Sequence, residues 1–542
     1  MVVSIVLLAL VSLAPAHGDS PRAPAFPGGV ELVRVDAVVL DRDGKPVRGL
    51  TAADFEVYEN GKKTDVASFE AIGLQPQAAK SAAAAPSAPE AESASRVLLP
   101  QEGRALLVYF DDIHVQAENS TLVRRQLTSF LARELRPGDA VTVVAPQQGL
   151  WWTARTPWEH AQLPSAIARL RGQYVPDPFG ERVSDWAIMQ AIEYGTVIPG
   201  TVGTPRPSIS QIASSATAQE RYGLALVRIQ RSLNGLQRAV ESLGGFRGRK
   251  SVVIYSEGFI LSPALQDYDR IIDLCRRANV ALYVSEPRGL MTGSDLQGSP
   301  LATAAGATAF TNVPGTASTV LPGTMLEGER AGSTYIAVAT GGAAYQSNDT
   351  TEALSRVLVE STAYYLIGFQ PAAGLPGERR LQLRVRGKGL HVRARNRYFV
   401  GVLPDPLKDA AGDRIAREIS DRDGVPIRVA TGPGGQAGAV ALRVTFEPVQ
   451  PARERRVRIL VERRPLAGGE TVHDTTEVTL PPEAVEQNVQ SDLRVAPGVW
   501  QAKVVVTDTG TGATGSALHT FEVPARSAPP SRATHDGGAM SR

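Results

Sequence analysis

Continuous apolar runs that alternate with helical patterns constrain the fold of residues 103–371 more than any other feature of the chain. The runs are Ala105–Phe110, Ala140–Ala145, Ser251–Tyr255 and Val280–Val284. A strand without polar alternation is expected to be buried on both faces of a sheet. Because helical patterns separate the runs, strand–helix–strand repetition favours right-handed crossovers between parallel strands. This region therefore predicts an α/β fold with a doubly wound, mainly parallel sheet.

Four stretches of the same region have helical or amphipathic patterns. They are residues 119–135, 158–171, 217–244 and 268–279. In the first, Asn119 or Ser120 is placed to cap the helix, and large apolar residues recur along one face down to Leu135. Residues 291–332 interrupt the alternation, because they are rich in Gly, Ala, Thr and Pro. We expect an inserted surface loop there.

Short strand patterns precede this region. Residues 30–73 contain alternating apolar positions and the turn Asn60-Gly61, a strong local hairpin signal, and they predict a small β-module. Residues 74–102 are rich in Ala, Ser and Pro and carry little large apolar surface. Such a composition is typical of a flexible linker.

Short strand patterns also follow residues 103–371. Residues 378–400 predict a β-hairpin that turns at Gly387-Lys388-Gly389 and belongs with the α/β domain, which then spans 103–400. Residues 425–524 alternate without helical period and favour an immunoglobulin-like β-sandwich. Residues 525–542 are rich in Ser, Pro and Gly and predict a disordered tail.

Composition excludes several classes of protein. The net charge of +2 argues against a chain that coats nucleic acid. The single cysteine, Cys275, excludes an internal disulfide and any zinc or iron–sulfur site built on clustered cysteines. The seven histidines include no His-x-x-x-His pair, which excludes a zincin helix.

The first residues predict the compartment. Val2 to Leu13 is an apolar run, and small residues at 14, 16 and 18 offer a cleavage site. The run is too short to span a bilayer but suits a signal peptide over residues 1–18. No later segment has about 18 uninterrupted apolar residues, so we expect a mature chain without a transmembrane segment. The expected location is periplasmic or secreted.

Several segments in consistent order resemble a known family. They are "DRDGKPVRGLTAADFEVYENGK", "RALLVYFDD", "LRPGDAVTVV", "GRKSVVIYSEGF", "ANVALYVSEPRGL", "ATGGAAYQSND" and "STAYYLIGFQP" leading to "LHVRARNRYF". Together they cover about residues 30–400, and they resemble von Willebrand factor type A (vWA) related exported proteins that are common in Acidobacteria. The resemblance implies a Rossmann-like vWA fold and a binding role without catalytic activity.

The resemblance also implies a magnesium site, from which this chain departs. A vWA domain holds Mg²⁺ with an Asp-x-Ser-x-Ser loop after its first strand and an Asp after its fourth. If Asp111 is the first aspartate, Ile113 and Val115 stand at the serine positions; if Asp112 is, a histidine and a glutamine stand there. The later acid is Glu257. Asp111, Asp112 and Glu257 are therefore metal candidates in a degenerate site, and we expect no cofactor beyond weak Mg²⁺ binding.

Other candidate chemistry is weaker. Residues 244–251 resemble a P-loop, but Arg249 replaces its last glycine and a strand, not a helix, follows. Ser256, His114 and Asp111 all follow strands and offer the residue types of a catalytic triad, without a Gly-x-Ser-x-Gly elbow. Cys275 lies on a predicted helix beside an apolar residue, which favours a packed thiol.

The predicted hairpin 378–400 is strongly basic. Its alternation places Arg384 and Arg386 on one strand and Arg393 and Arg395 on the other, and we expect them to form one cationic surface. Such a surface either keeps a sheet edge soluble or docks an acidic polysaccharide, an anionic surface or an acidic protein.

These patterns together favour an exported, non-enzymatic protein-binding, adhesion or scaffold protein. We expect a protein partner at the C-terminal face of the sheet, contacted by His114 and Ser256, and a second contact at Arg384, Arg386, Arg393 and Arg395. The alternatives are an assembly factor in a larger periplasmic complex and a secreted hydrolase.

Overall fold

The computed structural model describes most of the chain between residues 33 and 524. The described residues are 33–72, 92–94, 104–175, 185–194, 216–243, 250–289, 322–372, 374, 377–400, 421–434, 439–447, 455–481 and 487–524. Of these residues, 41% lie in strands and 29% in helices. Within the same ranges, no helix has both the length and the apolar character needed to cross a bilayer.

The described strands are numbered in chain order: β1 (Val33–Leu40), β2 (Phe55–Glu59), β3 (Lys62–Thr64), β4 (Val66–Ile72), β5 (Glu92–Ala94), β6 (Ala105–Phe110), β7 (Ala140–Ala145), β8 (Leu150–Ala154), β9 (Lys250–Tyr255), β10 (Val280–Glu286), β11 (Ala344–Gln346), β12 (Tyr364–Phe369), β13 (Gly377–Val385), β14 (His391–Arg393), β15 (Arg397–Val400), β16 (Arg422–Asp423), β17 (Ile427–Pro433), β18 (Val440–Phe446), β19 (Arg455–Pro465), β20 (Val472–Leu480), β21 (Gln487–Leu493), β22 (Gly498–Asp508) and β23 (Thr514–Val523).

The described α-helices are numbered in the same way: α1 (Asn119–Glu134), α2 (Pro157–Ile167), α3 (Asp185–Tyr194), α4 (Ala216–Ser242), α5 (Asp267–Ala278), α6 (Pro322–Glu329), α7 (Ala331–Ala339) and α8 (Glu352–Thr362). A short 3-10 helix covers Ala52–Asp54.

The central sheet has six strands in the order β11-β10-β9-β6-β7-β8. Strands β11, β10, β9, β6 and β7 are parallel to their neighbours, whereas β8 is antiparallel to β7. Strand β8 is not among the predicted strands. Only residues 146–149 join β7 to β8, and so short a link allows a hairpin but no crossover. The sheet is therefore mixed.

Strand β6 is buried because apolar side chains cover both of its faces. Leu107 and Tyr109 belong to one hydrophobic core, together with apolar residues of α4 and α5. Leu106 and Val108 belong to a second core, together with residues of α1, α2 and α8. A run without polar alternation is the pattern that such a two-sided position requires.

The N-terminal strands do not form a sheet by themselves. Strand β1 pairs with β12 and β14, and β2 pairs with β13. The resulting sheets, β14-β1-β12-β4 and β15-β13-β2-β3, share one core that includes Val35, Val57, Tyr365 and Leu381. Residues 33–72, which we assigned to a separate module, thus share both sheets with residues 364–400.

The two strands of the predicted hairpin at 378–400 do not pair with each other. Strand β13 pairs with β2 and β15, whereas β14 pairs with β1 in the other sheet. The turn at residues 387–389 therefore connects two sheets instead of two paired strands. Leu381 and Leu383 face the shared core, as their alternation indicates.

The C-terminal region forms two antiparallel sheets around one core. Their strand orders are β16-β23-β22-β19-β20 and β21-β18-β17-β5. Trp500, Ala502, Val504 and Val506 point into the core between them. Strand β5 comes from the predicted linker 74–102, the rest of which lies outside the described residues apart from Glu92–Ala94.

The predicted fold class, α/β with a doubly wound, mainly parallel vWA sheet, is wrong for this chain. Strand is more abundant than helix, four of the five described sheets are antiparallel, and the central one is mixed. The prediction was wrong because it treated the strands on either side of residues 103–371 as small additions to one parallel sheet.

The predicted surface loop 291–332 is only partly described. Residues 290–321 lie outside the described ranges, and α6 occupies Pro322–Glu329.

A polar contact joins the C-terminal unit to the free edge of the central sheet. The side-chain amide of Gln501 on β22 donates to the carbonyl of Thr153 on β8 at 2.6 Å, and its oxygen accepts from the Thr153 N–H at 3.3 Å. Thr520 donates to Glu159 at 2.5 Å beside it. Backbone groups of an edge strand invite pairing with other chains, and Gln501 satisfies those of Thr153 instead.

Candidate functional site

Polar side chains collect where three strands of the central sheet end. Asp111 and Asp112 follow β6, Ser256 and Glu257 follow β9, and Glu286 is the last residue of β10. These strands are parallel neighbours, so their carboxyl ends lie at one edge of the sheet. All five residues are buried. We call this group, with His114, the carboxyl-edge cluster.

Asp111 holds the centre of the cluster. Its Oδ2 accepts a hydrogen bond from Ser256 Oγ at 2.8 Å and contacts His114 Nδ1 at 2.9 Å. The backbone N–H of Gly258 donates to Ser256 Oγ at 3.1 Å. Oδ1 of Asp111 is buried, and no donor among the described residues reaches it. One carboxylate oxygen therefore organises the serine and the histidine, while the other is unsatisfied.

The loop after β6 is shaped by its own backbone and by residues 172–174. His114 N–H donates to the carbonyl of Asp111, and Val115 is fully buried in the core. The carbonyl of Val115 accepts from Tyr174 N–H at 3.0 Å. A Cβ at Gly172 would lie 2.0 Å from that carbonyl oxygen, so only glycine allows this approach. This packing places His114 over Asp111.

Asp112 is bound by a different segment. Its Oδ2 accepts from the N–H of Gln148 at 3.0 Å and from the Gln148 side-chain amide at 3.2 Å. Burial, aided by the charge of Asp111 and opposed by the Gln148 hydrogen bonds, raises the pKa of Asp112 to about 6. Asp112 thus connects the β7–β8 turn to the end of β6.

Glu257 is saturated by amide donors. Its Oε1 accepts from Gln116 N–H at 2.7 Å and from Asn119 Nδ2 at 2.8 Å, and its Oε2 accepts from Gln116 Nε2 at 2.8 Å. Asn119, which we predicted as a helix cap, is the first residue of α1 and directs its side chain to this carboxylate. Glu257 therefore anchors the start of α1.

Glu286 is a member of the cluster that the sequence reading missed. It accepts from Arg288 Nε at 2.6 Å and from Arg330 Nη1 at 2.8 Å. Both arginines are mostly buried. The sequence did contain a signal for Glu286, because the apolar run Val280–Val284 is followed directly by the polar pair Ser285-Glu286. A small pocket beside Glu286 and Ser256 has room for roughly one water molecule.

The residues present do not fit a magnesium ion. Mg²⁺ requires octahedral oxygen ligands, and each oxygen of Glu257 already accepts a hydrogen bond from an amide donor. Ile113 and Val115 supply no side-chain oxygen. Of the predicted set, Asp111 Oδ1 alone is an unsatisfied buried oxygen. Within the described ranges, no three acidic, histidine or cysteine side chains are grouped to hold a metal ion.

We expect added metal to leave the stability of the protein unchanged. At a millimolar Kd and an equal ion concentration, binding adds only RT ln 2, about 0.4 kcal/mol, so 1 mM Mg²⁺ or Mn²⁺ should shift Tm by about one degree or less. Thermal melts with and without EDTA measure this. A rise of several degrees that Asp111→Ala abolishes would show that the cluster binds metal.

The cluster also lacks the order of a catalytic triad. In a triad, histidine lies between the serine and the carboxylate and removes the serine proton. Here Ser256 donates directly to Asp111, and His114 contacts the same carboxylate oxygen. The His114 ring also packs against the tilted ring of Phe259, with centroids 5.4 Å apart. The predicted three residues meet, but in an order that leaves Ser256 without a histidine base.

The four predicted partner-binding arginines do not form one surface. Arg384 is exposed and lies over the Tyr58 ring at 4.9 Å, and Arg386 reaches Glu56 at 3.2 Å. They lie on and beside β13, at the outer face of the sheet that contains β2.

Arg393 and Arg395 have structural contacts instead. Arg393 forms an ion pair of 2.7 Å with the buried carboxylate of Glu360 and also donates to Tyr345. Arg395 donates to the carbonyls of Arg276 and Arg34. These contacts connect the N-terminal sheets to the central sheet, so both arginines belong to a packed joint.

The remaining sequence candidates have simple outcomes. Cys275 is a fully buried free thiol on α5, and burial raises its pKa well above the ordinary value. In the segment that resembles a P-loop, residues 244–249 lie outside the described ranges. Lys250 is the first residue of β9, and its ammonium donates to the carbonyl of Ala278 at 2.9 Å.

Comparisons with known proteins give weak likenesses. No family model matches the chain, and no curated protein matches it in sequence. Dimeric latent PorU from Porphyromonas gingivalis is 13% identical over 31% of this chain and 14% of its own, with a TM-score of 0.15. The pilus adhesin SpaC from Lactobacillus rhamnosus GG is 9% identical over 77% of this chain and 56% of its own, with a TM-score of 0.19. The chain thus spans less than two thirds of either protein, and such low TM-scores support no shared fold.

Proposed function

We propose that this chain is an exported, non-enzymatic binding or scaffold protein. The observation that carries the proposal is the internal hydrogen bonding of the carboxyl-edge cluster. Ser256 donates to Asp111, and amide donors occupy Glu257. Side chains held in this way order the surrounding loops and are poorly suited to exchange protons with a substrate.

The partner is proposed to contact the loops rather than the buried cluster itself. Ser256 and His114 have exposed fractions of only 1% and 7%, too little for the direct contacts that the sequence reading assigned to them. Ala117 and Glu118, between the β6 end and α1, are exposed. The cluster would position this loop against a protein partner, as a preorganised surface loses less entropy on binding.

The proposed location is the periplasm or the exterior. Its support is the apolar run Val2 to Leu13, which lies outside the described residues. The resemblance to vWA-related exported proteins agrees with the same location. An assembly factor in a larger periplasmic complex is the second form of this binding function, and the identity of the captured partner separates the two.

Affinity capture from envelope extract tests the proposal. We expect the full chain to retain a protein partner that Glu118→Arg releases, because the exchange reverses an exposed charge on the proposed loop. Glu477→Arg is the matched control, since Glu477 is exposed on β20 of the C-terminal unit. Equal capture by both variants would contradict the proposed surface.

A substrate screen tests the non-enzymatic part separately. We expect no turnover of generic ester, peptide or glycoside substrates by the purified chain. Turnover that Ser256→Ala abolishes would overturn the proposal, because it would make Ser256 a nucleophile despite its bond to Asp111.

A further inference from the structure

One face of the sheet β15-β13-β2-β3 is strongly basic. Along β13, the buried or half-buried Leu381, Leu383 and Val385 alternate with outward side chains. The outward cations are Lys63 on β3, Arg380 and Arg384 on β13, Arg386 directly after β13, and Arg397 on β15. We call these five side chains the cationic face.

The strand register brings the five cations together from separate parts of the sequence. Arg397 pairs with Arg380, Arg384 pairs with Glu56, and Lys63 pairs with Tyr58 across antiparallel strands. Directly opposed residues of antiparallel strands place their side chains on the same face. The cationic face therefore includes residues that lie more than 300 positions apart, and it omits Arg393 and Arg395.

Among the described side chains of these strands, one carboxylate, that of Glu56 on β2, lies between the cations. Lys63 and Arg386 both contact Glu56 Oε1, at 3.0 and 3.2 Å, and these bonds, with that from Tyr58, lower the pKa of Glu56 to about 2. Asp54 directly precedes β2, where its carbonyl accepts from the Arg386 N–H, and Asp65 directly follows β3. The face therefore keeps a net positive charge after its internal pairing.

Arg380 and Arg384 are the cations best placed to receive an anionic ligand. Both are exposed. Arg384 donates to the neutral amide of Gln382 at 3.3 Å and stacks on Tyr58, which orders its guanidinium. Guanidinium groups pair in a bidentate manner with planar or tetrahedral oxyanions.

The shape of the face favours a linear polymer over a lipid surface. Alternate residues of a strand lie roughly 6–7 Å apart, so the outward positions of β13 form a straight row of donors. None of the large exposed hydrophobic side chains of the described residues lies on this sheet, whereas peripheral membrane surfaces insert apolar groups. Arg380, Arg384 and Arg386 lie along one row, with the neutral Gln382 between the first two, and a flexible chain that carries repeated charges can contact cations at both spacings.

We propose that the cationic face binds a linear acidic polysaccharide through carboxylate or sulfate groups. The surface is separate from the carboxyl-edge loops, so failure of this proposal leaves the proposed protein-binding function intact, and the reverse also holds. Arg380 and Arg384 make the direct contacts, while Lys63 and Arg386, joined to Glu56, supply the positive field around them.

Binding of defined polymers to the full chain tests this. We expect alginate and dextran sulfate to bind and neutral dextran not to bind. Released counterions should give a log–log salt dependence with a slope of roughly −2 to −4. The double substitution Arg380→Gln/Arg384→Gln should weaken binding by about tenfold, a loss of about 1.4 kcal/mol.

The matched control is Arg125→Gln/Arg443→Gln, which removes two exposed arginines elsewhere and changes the net charge equally. We expect its affinity to stay within about twofold of the original, and melting curves check that both variants are folded. An equal loss in both double variants would overturn the proposal, because it would show attraction by net charge alone. Binding to phosphatidylglycerol vesicles without binding to either polymer would overturn it too.

Discussion

Asp421→Ala is expected to cost about 3–5 kcal/mol of unfolding free energy, the usual loss when one partner of a buried charge network is removed. Asp421 bridges Arg155 Nη1 and Lys503 Nζ, each at 3.0 Å. It also accepts from the N–H of Leu518 at 2.9 Å. Burial would raise the pKa of Asp421, but the charges of Arg155 and Lys503 outweigh burial and lower it.

The reason for so large an effect is that both cations remain in place after the substitution. The side chains of Arg155 and Lys503 are only 11% and 3% exposed, so water does not replace the lost carboxylate. Arg155 follows β8 and Lys503 lies on β22, which means that the network joins the central sheet to the C-terminal unit. We expect the variant to loosen this joint first.

Urea denaturation of the full chain measures the loss. Glu477→Ala is the matched control, because the ion pair of Glu477 with Arg458 is more than half exposed on both sides and should contribute under about 1 kcal/mol. The pH provides a second check. Because the folded pKa of Asp421 is below the ordinary value of 3.8, its carboxylate stabilises the fold fully at pH values above 3.8. This stabilisation is lost as the pH falls through the folded pKa. A loss of stability no greater than that of Glu477→Ala would contradict the assignment.

Asp112→Asn is expected to gain stability relative to the original chain as pH rises from 4 to 7. The folded pKa of Asp112 is about 6 and the ordinary value is 3.8. Because the folded value is the higher one, ionisation penalises the fold progressively between these two pH values, and the full penalty of about 3 kcal/mol applies above pH 6. Asparagine keeps an oxygen for the Gln148 donors and carries no charge.

The measurement is the difference in unfolding free energy between the two chains at several pH values. At pH 4 the amide should have little advantage, whereas near pH 7 the difference should have shifted by up to about 3 kcal/mol in favour of Asp112→Asn. Asp65→Asn makes the same exchange at an exposed position and controls for the chemistry of the substitution. A difference that is constant over this range would show that Asp112 titrates alike in folded and unfolded chains.

The strands of the central sheet were predictable where burial on both faces left a continuous apolar run. Strands β6, β7, β9 and β10 occupy the predicted runs within one or two residues. The long helix α4 was predictable for a similar reason, because a one-sided apolar stripe repeats over many turns. Strand β8 was not predicted, because Leu150–Ala154 is only five residues long, and its strand-favouring tryptophans and threonine do not by themselves distinguish so short a strand from a loop.

The position of the candidate site could be predicted from the sequence, but the hydrogen bonds between its residues could not. Asp111, Ser256 and Glu257 follow runs that the sequence predicts as strands of one mainly parallel sheet, so it predicts that they lie at the same edge. That the two strands are direct neighbours is seen only in the structure. Which atom accepts from which donor depends on loop conformation. The Gly172 approach to Val115 sets the loop near His114, and nothing in the local sequence of His114 indicates it.

The sequence by itself determined where the buried runs of the central sheet and the hairpin turn at Asn60-Gly61 lie, because those depend on neighbours within a few residues. Tertiary structure alone decided that β1 pairs with β12, that Arg380 meets Arg397 while Arg393 turns to Glu360, and that Asp421 bridges two units. The physical reason is that the entropy of loop closure grows only slowly with loop length. Distance along the chain therefore hardly restricts which strands pair, and the choice falls to packing and charge across the whole molecule.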